Sequence, residues 1–192
     1  CGDWIGFLDA DDEWLPQRLA VQMNILARHR DLAWVSGNFI TCSCGDRRQA
    51  PNTPEDTVHR LLDGGNVLGD YFAACHRGVC GHTDTMLIRK AVLLEAGLFD
   101  PTLRKAEDLD LWWKIAHRHP TVGFSVEPLA IYHLGTPQSL NKTLMPGTFY
   151  AALIRRHLAL ADGFDSVNRF RPLAADMLRG WMRSMLFTRQ AD

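Results

Sequence analysis

The chain has 192 residues, 46% hydrophobic and 22% charged, with a formal net charge of -1. This balance fits a globular fold with enough apolar content for a core, and it gives no electrostatic reason to expect nucleic acid or an anionic membrane as partner. No apolar run reaches the roughly 18–20 residues of a membrane-spanning helix, and the odd set Cys1, Cys42, Cys44, Cys75 and Cys80 argues against a disulfide framework and for a reducing, cytoplasmic setting.

The chain opens on Cys1-Gly2-Asp3-Trp4, with no basic leader before its first apolar run, and so reads as starting in the middle of a fold. Trp4 to Leu8 is apolar without alternation, the pattern of an interior strand buried on both faces. It stops at Asp9-Ala10-Asp11-Asp12. Pro16 suits a first helical turn, and Leu15, Leu19, Met23 and Leu26 recur at helical spacing as an apolar stripe. Ala33 to Ile40 reads as the next strand, so the opening is strand, acidic turn, helix, strand, the pattern of an α/β crossover.

The polar segment from Asp46 to Thr57 reads as a loop, Asp56 to Leu62 as a short helix, and the glycines between Gly64 and Gly81 as turns around one more short helix. In that stretch Cys75, His76, Cys80 and His82 offer zinc ligands but lack the paired C-x-x-C spacing, so they read as small, partly buried thiols. Thr83 to Arg89 is a strand pattern, Lys90 to Ala96 a helix closed by Gly97, and Glu107 to His117 a helix. Val122, Phe124 and Val126 alternate as in a half-buried strand, and Leu129 to His133 is a further short strand. From Gly147 the pattern is helical, with breaks expected at Gly163 and Pro172. The last helix carries Leu178, Trp181, Met182, Met185 and Leu186. Packing on the domain is its default role, and Arg179, Arg183 and Arg189 beside it leave a membrane-surface role open.

Three carboxylates within four residues at a strand end repel one another and call for a compensating charge, for which a hard cation with oxygen ligands is suited. Ligands of open α/β sheets bind at such strand ends. The competing reading is a solvated turn whose charge favours the next helix N-terminus. A calcium loop is excluded, because Trp14 and Ala20 stand where Gly and Glu are required. On the Glu107–His117 helix, Asp108 shares a face with Leu111, Trp112 and Ile115 and so points inward, whereas Asp110 is expected to meet Lys114 at the surface. A helix cap is the ordinary alternative for Asp108, and a lone His133 after a strand is more often structural than a ligand.

Three blocks in order resemble glycosyltransferase family 2: Phe7-Leu8-Asp9-Ala10-Asp11-Asp12, then Gly97-Leu98-Phe99-Asp100 with Glu107-Asp108-Leu109-Asp110-Leu111-Trp112, then Leu129 to His133 with Ser139. The resemblance spans residues 1 to about 140. It implies a nucleotide-diphospho-sugar transferase fold, α/β with a mixed, mostly parallel central sheet flanked by helices. Residues 1–145 would be the metal and acceptor half of the catalytic domain and 146–192 a helical extension. The family's upstream P-x-Y-N strand and base-binding block are absent, as is the Q-x-x-R-W signature of processive synthases. The resemblance further implies a nucleotide-sugar donor and a glycan, lipid-linked or other hydroxyl acceptor. Mn²⁺ or Mg²⁺ would be held at Asp11 and Asp9 with His133, Asp108 would be the general base of an inverting transfer, and Glu107, His82 and Trp112 would lie in the acceptor region. The rival readings are a non-catalytic sugar- or partner-binding domain of the same fold and a metal-dependent phosphatase, against which Glu13 speaks.

Overall fold

The computed structural model describes residues 2–43, 50–134 and 145–189. In chain order they form β1 (Trp4–Gly6), β2 (Glu13–Trp14), α1 (Arg18–Arg28), β3 (Trp34–Gly37), β4 (Ile40–Ser43), β5 (Ala50–Pro51), α2 (Glu55–His59), β6 (Val67–Leu68) and α3 (Tyr71–His76). A 3-10 turn (Thr83–Thr85) leads into β7 (Leu87–Arg89), α4 (Lys90–Ala96), α5 (Glu107–Arg118), β8 (Val122–Ser125), β9 (Ala130–Leu134), α6 (Gly147–Gly163) and α7 (Val167–Arg189). The fold is α/β with two mixed sheets and flanking helices.

The larger sheet has the order β1-β7-β3-β8-β6, and the smaller has β2-β9-β4-β5. Each is mixed. Among the described residues the parallel pairs are β3 with β8 and β4 with β9, and the remaining pairs are antiparallel, so parallel pairing does not predominate as expected. Among the described residues the apolar run at the start of the chain pairs with β7, at intermediate burial. The single strand expected over 33–40 is split between the sheets. Asn38 makes the break: its side chain donates to the Thr53 carbonyl and accepts from the Phe39 and Thr53 amides, so the backbone leaves the first ladder and enters the second. β8, placed between β3 and β6, is buried along its length rather than on one face.

Two further expectations change. On α1 only Leu26 of the apolar stripe is buried: Leu19 and Met23 are each 48% exposed, and the buried face is Arg18, Gln22, Ile25 and Leu26. The helix is rotated because Arg18 Nη2 and Gln22 Nε2 reach buried carbonyls of Met86 and Thr85 at 2.8 and 2.7 Å. At Pro172 the helix continues. The proline lies inside α7, past its first turn.

α1 covers one face of the large sheet with Ile25 and Leu26 against Leu32, Val35 and Leu87. The other face carries the main core, in which Trp34, Phe72, Trp112 and Trp113 pack with Leu153, Ile154 and Phe170 of α6 and α7. No described helix is long and apolar enough to cross a membrane. On α7, Trp181 stacks on Tyr150 with ring centres 3.9 Å apart, whereas Met182 and Leu186 are exposed.

A polar relay joins α5 to α6 inside this core. Asp110 is fully buried, contrary to its expected surface position. It is paired with Lys114 at 2.6 Å and accepts from His157 Nε2 at 3.1 Å. His157 Nδ1 faces His117 Nε2 at 3.4 Å, and His117 Nδ1 meets the Ser166 hydroxyl at 2.7 Å. Burial and the neighbouring His157, Arg169 and Arg118 charges hold His117 down to about 3. His157 is also lowered, by burial against the pull of Asp110.

A histidine held below its unfolded value of about 6.5 contributes stability that is full above that pH and lost as pH falls towards the folded value. The unfolding free energy is therefore expected to drop by up to about 2 kcal/mol between about pH 7.5 and about pH 5. Urea titrations at the two pH values measure it, and equal stability at both would contradict a neutral relay.

Candidate active site

The acidic turn is built by the elements on either side of it. The Asp12 amide donates to the Asp9 carbonyl, and the Trp14 indole reaches back to the Phe7 carbonyl at 2.9 Å. Arg18, buried beneath, lies 4.1 Å over the Trp14 ring. The turn is fixed from below by Asp84 of the 3-10 turn, whose Oδ1 accepts the Asp9 amide at 2.7 Å. Asp84 Oδ2 is 2.7 Å from His82 Nδ1. Thr85 locks this second turn: its hydroxyl accepts from the His82 amide and stands 2.9 Å from Ser36 Oγ.

Ligand atoms of Asp9, Asp12, His82 and Asp84 all lie within 4.8 Å of one another. Asp12 Oδ1 accepts the His133 amide at 2.8 Å, and its buried Oδ2 receives no donor. Beside it stands the Asp84 carboxyl, with which it bonds only when one of the two is protonated. Burial, then this neighbour, pushes Asp12 up to about 7. Burial opposes the charge on Asp84 as well, but the hydrogen bond from His82 leads the interactions that hold it below its usual value. Burial pulls His82 down, yet the Asp84 contact outweighs it and the net shift is upward. Burial raises Asp9, with Asp84 adding. Arg18, lowered by burial to about 10, still carries its charge at neutral pH opposite Asp84.

Of the residues expected at a metal, Asp9 belongs to this group. Asp11 lies exposed on the same turn, and the His133 ring turns to Glu13 Oε1 at 3.0 Å across the β2–β9 pair. Asp12 was read only as one of the three carboxylates of the turn, and Asp84 was not singled out from sequence. Asp84 stands at the head of the apolar stretch Met86-Leu87-Ile88, and a charged residue entering a buried strand was the available signal.

Asp108 sits in the first turn of α5, half-buried, and its Oδ2 accepts from the Thr83 hydroxyl at 3.3 Å. It borders two depressions. A cleft of about 240 Å³ is lined by Phe7, Leu8, Asp9, Thr83, Phe99, Glu107 and Asp108. A larger cavity of about 480 Å³ runs from His82, Thr83 and Asp108 past Trp112 and Tyr132 to Tyr150, Met177 and Trp181 of the last two helices. Asp9, Glu107 and Asp108 therefore share the cleft, and His82, Asp108 and Trp112 share the cavity. Trp112 is 2% exposed and packs edge-on against Phe7 and Phe99, which ties the start of α5 to the acidic turn.

Residues 1–94 match the family model described as glycosyl transferase family 2. None of the curated proteins matches the chain. Among solved structures the chain is similar to residues 1–349 of S. aureus TarS, crystallised with UDP-GlcNAc, at 13% identity and a TM-score of 0.64. The similarity covers 88% of this chain and 48% of that one, so this chain spans about half the length of its structural neighbour. At that identity the likeness speaks for the fold. Asp108 lies beyond the matched family span.

The turn before the 3-10 segment leaves no room for a side chain. A Cβ on Gly81 would fall 1.7 Å from Ser36 Oγ and 2.7 Å from Thr85 Oγ1. Gly81→Ala is expected to cost about 1–3 kcal/mol, as overpacking does. Denaturant midpoints of the variant and parent measure this, and an unchanged midpoint would show that the turn yields.

Proposed function

With residues 1–94 belonging to glycosyl transferase family 2, we propose that the protein transfers a sugar from a nucleotide-diphospho-sugar to an acceptor hydroxyl, with inversion at the anomeric carbon. The observation that carries this reading is the shared cleft: Asp9 of the acidic turn and Asp108 at the start of α5 line one depression. A donor diphosphate at the turn and an acceptor in the larger cavity would then meet at Asp108. The crystallisation of the structural neighbour with UDP-GlcNAc supports a nucleotide-sugar donor.

Asp108 acts here as general base. Its carboxylate takes the proton of the attacking hydroxyl, and it is held in place by the Thr83 hydroxyl on Oδ2 at 3.3 Å and the Leu109 amide on Oδ1 at 2.7 Å. Trp112 and the aromatic wall of the cavity exclude water from the nucleophile's side, which favours transfer over hydrolysis.

The residues at the turn fit a divalent cation: carboxylate oxygens suit Mn²⁺ or Mg²⁺, and Asp12 Oδ2 is a buried acceptor without a donor. Asp11 and Asp9, exposed on the turn, would hold such an ion on the donor side. When bound it would neutralise charge on the departing nucleoside diphosphate. The clustering of Asp9, Asp12, His82 and Asp84 favours a second seat, deeper in the turn.

Titration calorimetry of the full-length protein with Mn²⁺ and a nucleotide sugar separates the two seats. Asp11→Ala is expected to abolish Mn²⁺-dependent donor binding with the melting temperature unchanged. Loss on Asp12→Asn with Asp11→Ala unaffected would move the ion to the deeper seat.

Turnover tests the base. Asp108→Asn is expected to leave donor affinity within a few-fold and to cut turnover by roughly 10² or more. Asp110→Asn, whose carboxylate is locked between Lys114 and His157, is expected to cost on the order of 3 kcal/mol of stability instead. Near-normal turnover in the Asp108 variant would overturn the assignment.

A further inference from the structure

Cys75 and Cys80 have no part in the proposed transfer, yet the fold brings them together on the wall of its cavity. α3 ends at His76, and the chain reverses through a tight turn. The Arg77 and Val79 amides both donate to the Ala74 carbonyl, at 3.0 and 2.9 Å, and the Gly78 amide donates to the Cys75 carbonyl at 2.9 Å. Gly78 has φ +81, a conformation that favours glycine and allows the reversal. The turn returns Cys80 alongside Cys75, and the two thiols hydrogen-bond to each other. The buried Tyr71 hydroxyl is bonded to Cys75. Both cysteines are half-buried and both line the cavity of about 480 Å³, so small solutes entering it meet the pair.

We propose that Cys75 and Cys80 form a redox-active dithiol that closes to a disulfide by exchange with a low-molecular-weight disulfide such as oxidised glutathione. In the first step the thiolate of one cysteine attacks one sulfur of glutathione disulfide, forming a mixed disulfide and expelling one glutathione thiolate. In the second, the other cysteine loses its proton to solvent and attacks the protein sulfur of the mixed disulfide, expelling the other glutathione thiolate. Two protein thiols are oxidised and one disulfide is reduced to two thiols. The turn runs straight into Gly81, His82 and Thr83, and Gly81 has no slack against Ser36. Closing the bridge therefore acts on the segment that positions the Asp108 partner Thr83.

The test equilibrates the folded full chain in glutathione redox buffers, quenches with acid, alkylates with N-ethylmaleimide and maps the peptides by mass spectrometry. This readout does not depend on glycosyl transfer, so its outcome is separate from that of the proposed function. The expected product is a Cys75–Cys80 bridge, two hydrogens lighter, with little glutathione left on either residue. Cys75→Ser should trap glutathione on Cys80, and Cys80→Ser should trap it on Cys75, because neither variant retains a resolving thiol. Cys42, half-buried on β4, serves as the internal reference. Both thiols alkylated in fully oxidised buffer, or a persistent glutathione adduct on wild-type Cys80, would overturn the proposal.

Discussion

The architecture of the site depends on one buried carboxylate. Asp84 has no solvent exposure, and although burial opposes its charge, the hydrogen bonds from His82 and the Asp9 amide hold it below its usual value. An unpaired buried charge costs several kcal/mol, so these partners are not interchangeable. Through Asp84 the acidic turn, the 3-10 turn and the inner face of α1 become one unit. The rotation of α1 ties it to the same turn: Arg18 faces inward to reach the Met86 carbonyl and Gln22 the Thr85 carbonyl, and Leu19 and Met23 are thereby left outside.

The second organising device is the helical layer over the opposite face of the sheet. α5 begins at the cleft with Asp108 and is anchored two residues later by Asp110, which reaches Lys114 on its own helix and His157 on α6. Neighbouring carboxylates on one helix thus serve different ends because they leave it in different directions. One borders the cleft, held by Thr83 and the Leu109 amide, and the other points into a relay of imidazoles packed against Phe170 and Trp113.

Much of this was legible in the sequence where periodicity and local chemistry decide structure. α4 closes at Gly97 with φ +87, α5 covers the expected residues, and Asp108 lies beside Trp112 at the cleft. What was not legible depends on contacts distant in sequence. Asp110 looked like a surface partner of Lys114 because its other partner, His157, lies 47 positions on in a segment without a recognisable motif. The α1 stripe misled because periodicity cannot show that buried carbonyls of Thr85 and Met86 await polar side chains. Asp84 was read as part of a strand, since a strand pattern does not reveal a 3-10 turn capped by His82.

The cavity wall has two origins in the chain. His82 and Thr83 come from the span that matches the family, whereas Tyr150, Met177 and Trp181 come from helices far beyond it. On the proposed reading, the chemistry of the donor and the fit of the acceptor are written in different stretches of sequence. Such a division lets a lineage exchange or remodel its last two helices and so change what is glycosylated while the acidic turn stays untouched. The buried relay between α5 and α6 sets the limit on that freedom, because any replacement must still neutralise Asp110.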